Sequence, residues 1–172
     1  AYGVAGHRPA EGFDPGRIVL NGVDLTVDSL YNRGGTVALQ IRQLAFTERC
    51  GLTVERTQGR FEMGPEGISL SGFELATAAS HLQADLTAGP GALQMEPTAP
   101  LTANLTAEVA TRDLARIAPA AIPAPLDNRL LRLHLATAGT WEEFEKIGVE
   151  ISSPEWLSLT LDGKARYPLD PK

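Results

Sequence analysis

The feature that most constrains this chain is a two-residue alternation of apolar and polar side chains. It is cleanest over residues 101–109, where the apolar positions are Leu101, Ala103, Leu105, Ala107 and Val109. Successive side chains of an extended strand point to opposite faces, so this spacing gives the strand one apolar and one polar side. An α-helix would instead repeat its apolar residues every three or four positions. The segment therefore predicts an amphipathic β-strand.

The same alternation recurs along most of the chain. Further runs lie at 18–27, 37–46, 52–54, 61–63, 68–75, 82–86, 131–135, 147–151 and 157–161. Turn-forming residues rich in Gly, Asn and Pro separate them. About ten short strands with turn chemistry between them predict an all-β, mostly antiparallel fold. No helix of ten or more residues separates the runs, which disfavours parallel βαβ units.

Two architectures are compatible with this periodicity. One is a curved open sheet that forms a β-groove, and the other is a closed sandwich, each with one or two very short helices. Residues 1–16 are rich in Gly and Pro and predict an irregular lead-in. Residues 17–172 are expected to form a single β domain, which we interpret as part of a longer repeating protein.

Several segments depart from the alternation. A one-residue slip at Asn21-Gly22 predicts a β-bulge. Residues 76–80 are alanine-rich and could be helical, although the spacing on either side favours a strand. A short helix is predicted over 111–118, with Thr111 as its N-cap. Thr140 and Glu143 match a capping box, which predicts a helical turn over 141–144.

An internal repeat links two of the runs. Residues 18–25 and 68–75 share the pattern Ile-x-Leu-(Asn/Ser)-Gly-(Val/Phe)-acid-Leu, and residues 159–163 carry a fainter copy. Gly at the slip is expected because a bulge uses backbone angles that cost other residues energy. The alternative is a chance match between short alternating segments. A repeated β unit predicts strands that stack to extend one sheet.

Net charge and cysteine content exclude some classes of partner and some kinds of site. Fifteen basic and 21 acidic residues give a net charge of −6, which disfavours nucleic acid and electrostatic docking on anionic lipid. Cys50 is the single cysteine, which excludes an internal disulfide and a multi-cysteine zinc site. We expect Cys50 to be a small structural residue at a turn.

No stretch approaches the ~20 apolar residues of a membrane span. No signal peptide is present, and we interpret the chain as a mature product or an excised piece.

No catalytic or metal site is recognisable in the sequence. The histidines lack acidic, Cys or His neighbours at ligand spacing, and they are His7, His81 and His134. Glu142, Glu143 and Glu145 are expected to be a solvated cluster. Nucleophile-elbow, P-loop and dinucleotide fingerprints are missing. We therefore expect no enzyme, no cofactor and no metal.

The run from residue 18 to 86 resembles the repeating strands of TamB/AsmA-like bacterial envelope proteins. Residues 22–30 match a Val-acid-Leu-x-Val-acid-Ser-Leu segment, and the segments that resemble later parts of the family pattern follow in order at 37–46, 51–54, 74–82, 113–119 and 139–141. The resemblance covers most of residues 17–165, whereas 1–16 match nothing in the family. The anchoring helix and C-terminal region of the family are not in this sequence.

The resemblance implies a non-catalytic periplasmic segment, anchored to a membrane in the full-length protein. It would support outer-membrane assembly or inter-membrane lipid transport, with lipid or an outer-membrane assembly protein as partner. Membrane contact would come only through other parts of the parent chain. An open apolar face would hold acyl chains at about 0.8 kcal/mol per buried CH₂. The expected lipid-contacting residues are Val37, Leu39, Ile41, Leu52, Val54, Ile68, Leu70, Leu82 and Leu86.

The alternative is a closed β-sandwich module with a structural or protein-binding role in the envelope. In that case the same apolar residues would pack against one another. Periodicity does not separate these two interpretations, because both require strands with one apolar side. The discriminating feature is whether the apolar face is covered.

Overall fold

The computed structural model describes residues 12–14, 16–119, 129–154 and 156–166. Its strands are β1 (Leu20–Arg33), β2 (Thr36–Glu48), β3 (Thr53–Val54), β4 (Arg56–Gly64), β5 (Gly67–Ala76), β6 (His81–Ala88), β7 (Pro100–Ala110), β8 (Leu130–Thr140), β9 (Glu143–Ser153) and β10 (Leu157–Arg166). A 3₁₀ turn (Ala92–Gln94) precedes β7, and one helix, α1 (Thr111–Ile117), follows it. The all-β prediction is confirmed.

All ten strands belong to one antiparallel sheet. Its order is β1-β2-β4-β5-β6-β7-β8-β9-β10, with β3 paired to β2 beside β4. Strands that are neighbours in the chain are therefore neighbours in space, as hairpin connections require. β1 and β10 lie at opposite edges and do not pair with each other, so the sheet is open. The described residues form no second sheet, and the closed sandwich is not their architecture.

The connections alternate between the two ends of the sheet. One end, which we call the α1 end, holds helix α1, the β2–β3 turn and the β5–β6 turn. The opposite end, the loop end, holds the β1–β2 hairpin and the long connection between β6 and β7. The described connections therefore lie at the two ends of the strands.

Glycines with positive φ set the turns and bulges of the sheet. Gly34 and Gly35 form the two-residue loop between β1 and β2 with φ of 60° and 81°, as the tight hairpin turns favoured by strand twist require. Gly22 and Gly72 have φ of 61° and 56°, and each lies at a register shift with the next strand. The predicted bulge is confirmed, and the internal repeat places the same bulge in β1 and in β5.

Helix α1 is confirmed, but its predicted cap is wrong. Thr111 is the first helical residue, and the N-cap position is Ala110, whose side chain makes no capping bond. The Thr111 hydroxyl instead accepts a hydrogen bond from the Arg129 amide at 2.9 Å and donates to the Arg129 carbonyl at 3.2 Å. The hydroxyl thus satisfies backbone groups just ahead of β8, which excludes it from capping α1.

Two other local predictions are wrong for related reasons. The predicted helical turn at 141–144 is a hairpin connection, because β8 ends at Thr140 and β9 begins at Glu143. The Thr140 hydroxyl accepts the Glu143 amide at 3.2 Å, so the capping-box hydrogen bond closes a β-turn here. Residues 77–80 are neither strand nor helix: the Thr77 amide donates to the Ser80 carbonyl at 2.9 Å and closes a tight turn.

Few side chains are deeply buried. The buried apolar residues are Ala38, Val54, Ala92, Ala99 and Ala107, four of which are alanines. A compact domain buries large aliphatic side chains instead. All the strands of the described residues lie in one sheet. The described residues therefore form a single-layered sheet without a thick core.

Candidate functional site

One face of the sheet is apolar from edge to edge, and we call it the apolar face. The antiparallel register places its side chains directly opposite one another in rows. One row crosses β1 to β7 through Leu30, Leu39, Phe61, Leu70, Leu86 and Ala103. A second crosses β5 to β10 through Phe73, Ala84, Leu105, Leu135, Val149 and Leu161. The two rows overlap in the middle strands, so the apolar face is continuous.

The opposite face is polar and carries exposed ion pairs. Arg42 lies 2.7 Å from Asp28, and Arg132 lies 2.7 Å from Glu108. Exposed pairs of this kind add little stability, with a median of roughly 0–1 kcal/mol. They do mark this face as the polar side of the sheet.

A small cluster on the polar face contains one of the histidines. Glu74 accepts hydrogen bonds from His81 at 2.7 Å and from Arg56 at 2.9 Å. The hydrogen bond from His81, followed by the charge of Arg56, lowers the pKa of the Glu74 carboxyl below its usual range. Cross-strand pairing explains the contact, since Glu74 and Arg56 lie on neighbouring strands β5 and β4.

The other histidines do not build a metal site in the described residues. His134 lies opposite Thr106 on the polar side, as predicted, with 3.2 Å between its Nδ1 and the Thr106 hydroxyl. His7 lies outside the described residues. Within the part of the chain that the structure describes, no group of three His, Cys, Asp or Glu side chains could hold a metal ion.

The apolar face is open to solvent, and its exposure rises towards both edges. Leu105 and Leu135, in the middle strands, are half-buried. Leu30 on β1 is 70% exposed, and Leu161 on β10 is 55% exposed. In the register, Leu105 lies between Ala84 on β6 and Leu135 on β8. No covering layer is formed by the residues that the structure describes.

Most of the predicted lipid-contacting residues meet on this face. The structure brings together Val37, Leu39 and Ile41 on β2, Ile68 and Leu70 on β5, and Leu82 and Leu86 on β6. All of these residues are half-buried. The register confirms their shared face, since Leu70 lies opposite Leu86 and Leu75 opposite Leu82.

The remaining two predicted residues have other positions. Leu52 is half-buried in the turn before β3. Val54 is 2% exposed, because β3 folds back on β2 and places Val54 opposite Phe46. Val54 is therefore a packing residue of the α1 end, already covered by the chain itself.

The prediction missed the second half of the apolar face. The additional residues on β7 to β9 include Leu101, Leu105, Leu133, Leu135, Ile147, Val149 and Ile151. Their alternation is as clear as that of the first half. Extending the same spacing through the later strands would have found them.

Polar contacts close the α1 end of the sheet. Asp113 is 4% exposed and accepts hydrogen bonds from the hydroxyls of Thr77 and Ser80, each at 2.7 Å. Ser80 Oγ also accepts the Ala110 amide at 3.0 Å. This network ties the β5–β6 turn to the start of α1.

The β2–β3 turn, at the same end, uses a buried carboxylate. Glu48 is 4% exposed, and its carboxylate accepts hydrogen bonds from the amides of Cys50 at 2.6 Å and Val19 at 3.3 Å. Hydrogen bonds from the Cys50 thiol and amide are the main reason that the pKa of Glu48 falls to about 2. Burial raises the pKa of the Cys50 thiol, which agrees with the structural role expected for it.

Aromatic residues close the loop end. The Trp141 ring N–H donates to the Ala92 carbonyl at 3.0 Å, and the Trp141 and Phe144 rings meet edge to face at 6.5 Å. The Glu142 amide donates to the Pro97 carbonyl at 2.9 Å. These contacts hold the β6–β7 connection against the β8–β9 hairpin. They lie at the loop end and do not cover the middle of the apolar face.

Comparisons of the chain with family models, with curated proteins and with solved structures found no match. The helices in the described residues are all too short or too polar to cross a bilayer.

Proposed function

We propose that this chain is a non-catalytic segment of a TamB/AsmA-like envelope protein whose apolar face holds lipid acyl chains. The full-length protein would work in the periplasm, in inter-membrane lipid transport or in outer-membrane assembly. The family assignment is supported by the order of the resembling segments in the sequence. The observation that carries the lipid role is the continuous apolar face without a covering layer in the described residues.

The dimensions of the apolar face suit an extended hydrocarbon chain. Nine strands lie side by side along the sheet path. With neighbouring strands ~4.8 Å apart, the face is about 38 Å across. An acyl chain lying along a cross-strand row would bury its CH₂ groups at about 0.8 kcal/mol each. Hydrophobic burial is non-directional, so the acyl chain could move along the row between equivalent contacts.

Charge also favours acyl chains over headgroups as the recognised part of a lipid. The chain has a net charge of −6, and Arg42 and Arg132 on the polar face are paired with carboxylates. Such a surface does not concentrate anionic headgroups. Lipid recognition would then depend on the buried apolar area, which discriminates only weakly between lipid classes.

A protein-binding role in the envelope is the competing proposal, in which a partner covers the apolar face. The two roles differ in what touches the middle of the face in protein isolated from bacterial envelopes. Leu105 and Thr106 are adjacent in β7 and point to opposite faces, so they form a matched pair of probe positions.

We expect a photo-reactive amino acid at Leu105 to form lipid adducts, and the same probe at Thr106 to form none. A probe at Leu39, on the other half of the face, should behave like Leu105. Mass spectrometry of the irradiated protein measures the adducts. Equal labelling at Leu105 and Thr106, or protein adducts in place of lipid at both apolar positions, would reject lipid binding in favour of a passive surface or a partner protein.

A further inference from the structure

The described residues between Gly12 and Val19 form a strap across the α1 end of the sheet. At one end of the strap, the Phe13 amide donates to the Ile117 carbonyl in α1 at 2.8 Å. At the other end, the Arg49 amide in the β2–β3 turn donates to the Val19 carbonyl at 3.0 Å. The strap therefore joins the last residue of α1 to the start of β1.

Strand pairing connects these two anchors only indirectly. α1 follows β7 directly, and β2, β4, β5 and β6 lie between β7 and β1 in the sheet. Five strand spacings of ~4.8 Å amount to about 24 Å. The strap and α1 together bridge this gap through hydrogen bonds that do not belong to the sheet ladders.

The anchor on α1 depends on a glycine. Gly12 has φ of +104°, a backbone conformation that favours glycine. A Cβ atom at this position would lie 2.5 Å from the Ile117 carbonyl oxygen and 2.8 Å from Pro119 Cδ. Any larger residue would therefore push the Phe13 amide away from its acceptor.

The anchor beside β1 uses the buried carboxylate of Glu48. This carboxylate accepts the Val19 amide at 3.3 Å, so Val19 is bound through both its amide and its carbonyl. Between the anchors, Asp14 accepts the Gly16 amide at its side chain and the Arg17 amide at its carbonyl, each at 3.0 Å. These two bonds order the middle of the strap, which leaves it less freedom to absorb movement at one anchor.

We propose that the strap is a conformational device that couples its two anchors, so that loss of one loosens the other. Phe13 and Ile18 are 40% and 55% exposed, so apolar burial adds little to its attachment. Segments with few buried apolar contacts are among the first parts of a protein to open locally. The strap therefore opens as a unit and separates the start of β1 from α1. This coupling does not depend on lipid binding.

Two backbone amides report the two anchors in a hydrogen-exchange experiment followed by NMR. The Phe13 amide reports binding to α1, and the Arg49 amide reports binding of Val19. We expect Gly12→Ala to speed exchange of the distant Arg49 amide about tenfold. Glu48→Gln should speed exchange of the Phe13 amide by a similar factor, because coupling between two sites is reciprocal.

Gly16→Ala is the matched control within the strap. Its φ is not in the left-handed region, and the nearest atom to an added Cβ is Asp14 Oδ1 at 3.3 Å, so both reporters should exchange as in the wild type. The Thr77 amide, which donates to the Ser80 carbonyl at 2.9 Å, should keep its wild-type rate in every variant. Faster exchange at the substituted anchor alone, equal effects of Gly16→Ala and Gly12→Ala, or equal acceleration of the Thr77 amide would each overturn the proposal.

Discussion

Gly67→Ala is expected to destabilise the protein by about 3–4 kcal/mol, because the turn between β4 and β5 leaves no room for a side chain. Gly67 has φ of +119°, a backbone conformation that alanine adopts only with strain. A Cβ atom at this position would lie 2.0 Å from the Ala88 carbonyl oxygen and 2.9 Å from backbone atoms of Gly89. Backbone atoms of the neighbouring strand cannot move aside without breaking β5–β6 pairing.

Urea unfolding followed by circular dichroism measures this loss. The matched control is Gly163→Ala in β10, where no atom lies within 4 Å of the added Cβ and φ is not in the left-handed region. The control should change stability by less than about 0.5 kcal/mol. A Gly67→Ala variant as stable as Gly163→Ala would show that the β4–β5 turn does not pack closely against β6.

Asp113→Ala should cost about 3 kcal/mol, because it removes a buried acceptor from two hydroxyls at once. Thr77 and Ser80 both donate to Asp113 at 2.7 Å, and the carboxylate is 4% exposed. Hydrogen bonds to charged groups are worth roughly 1.5–3 kcal/mol. The hydroxyls of Thr77 and Ser80 would lose this acceptor while staying partly buried. Docking of α1 onto the β5–β6 turn would weaken with them.

Asp162→Ala is the control for this substitution, since Asp162 is exposed on β10. Hydrogen exchange of the amides in α1 provides a second measurement, because it reports the local opening of that end. Faster exchange confined to α1 and the β5–β6 turn is expected. A stability loss equal to that of Asp162→Ala would show that the Asp113 network does not hold the α1 end.

The strands were predictable because alternation and turn chemistry are local properties of the sequence. The bulges at Gly22 and Gly72 were predictable for the same reason, since both appear as a slip in the alternation next to a glycine. The helical turn predicted from Thr140 and Glu143 was wrong because one side-chain-to-backbone hydrogen bond can close either a helix start or a hairpin. Local pattern alone does not distinguish these two uses.

Long-range contacts set the limit of prediction for the candidate site. Leu39 and Val54 carry the same signal in the sequence, yet Leu39 is half-buried on the open face and Val54 is 2% exposed. The difference depends on β3 folding back on β2, a tertiary event. Asp113 shows the same limit, because its partners Thr77 and Ser80 lie 36 and 33 residues away in the chain.

Whether the apolar face is open is the question on which both the lipid proposal and the single-layered fold depend. Methyl NMR of delipidated protein with a water-soluble paramagnetic agent answers it most directly. Val54, which is 2% exposed, and Leu159, which is 51% exposed, are the protected and accessible references. We expect the methyl signals of Leu105 and Leu135 to broaden towards the level of Leu159. Protection of both residues to the level of Val54 would show that something covers the face and would contradict the open sheet.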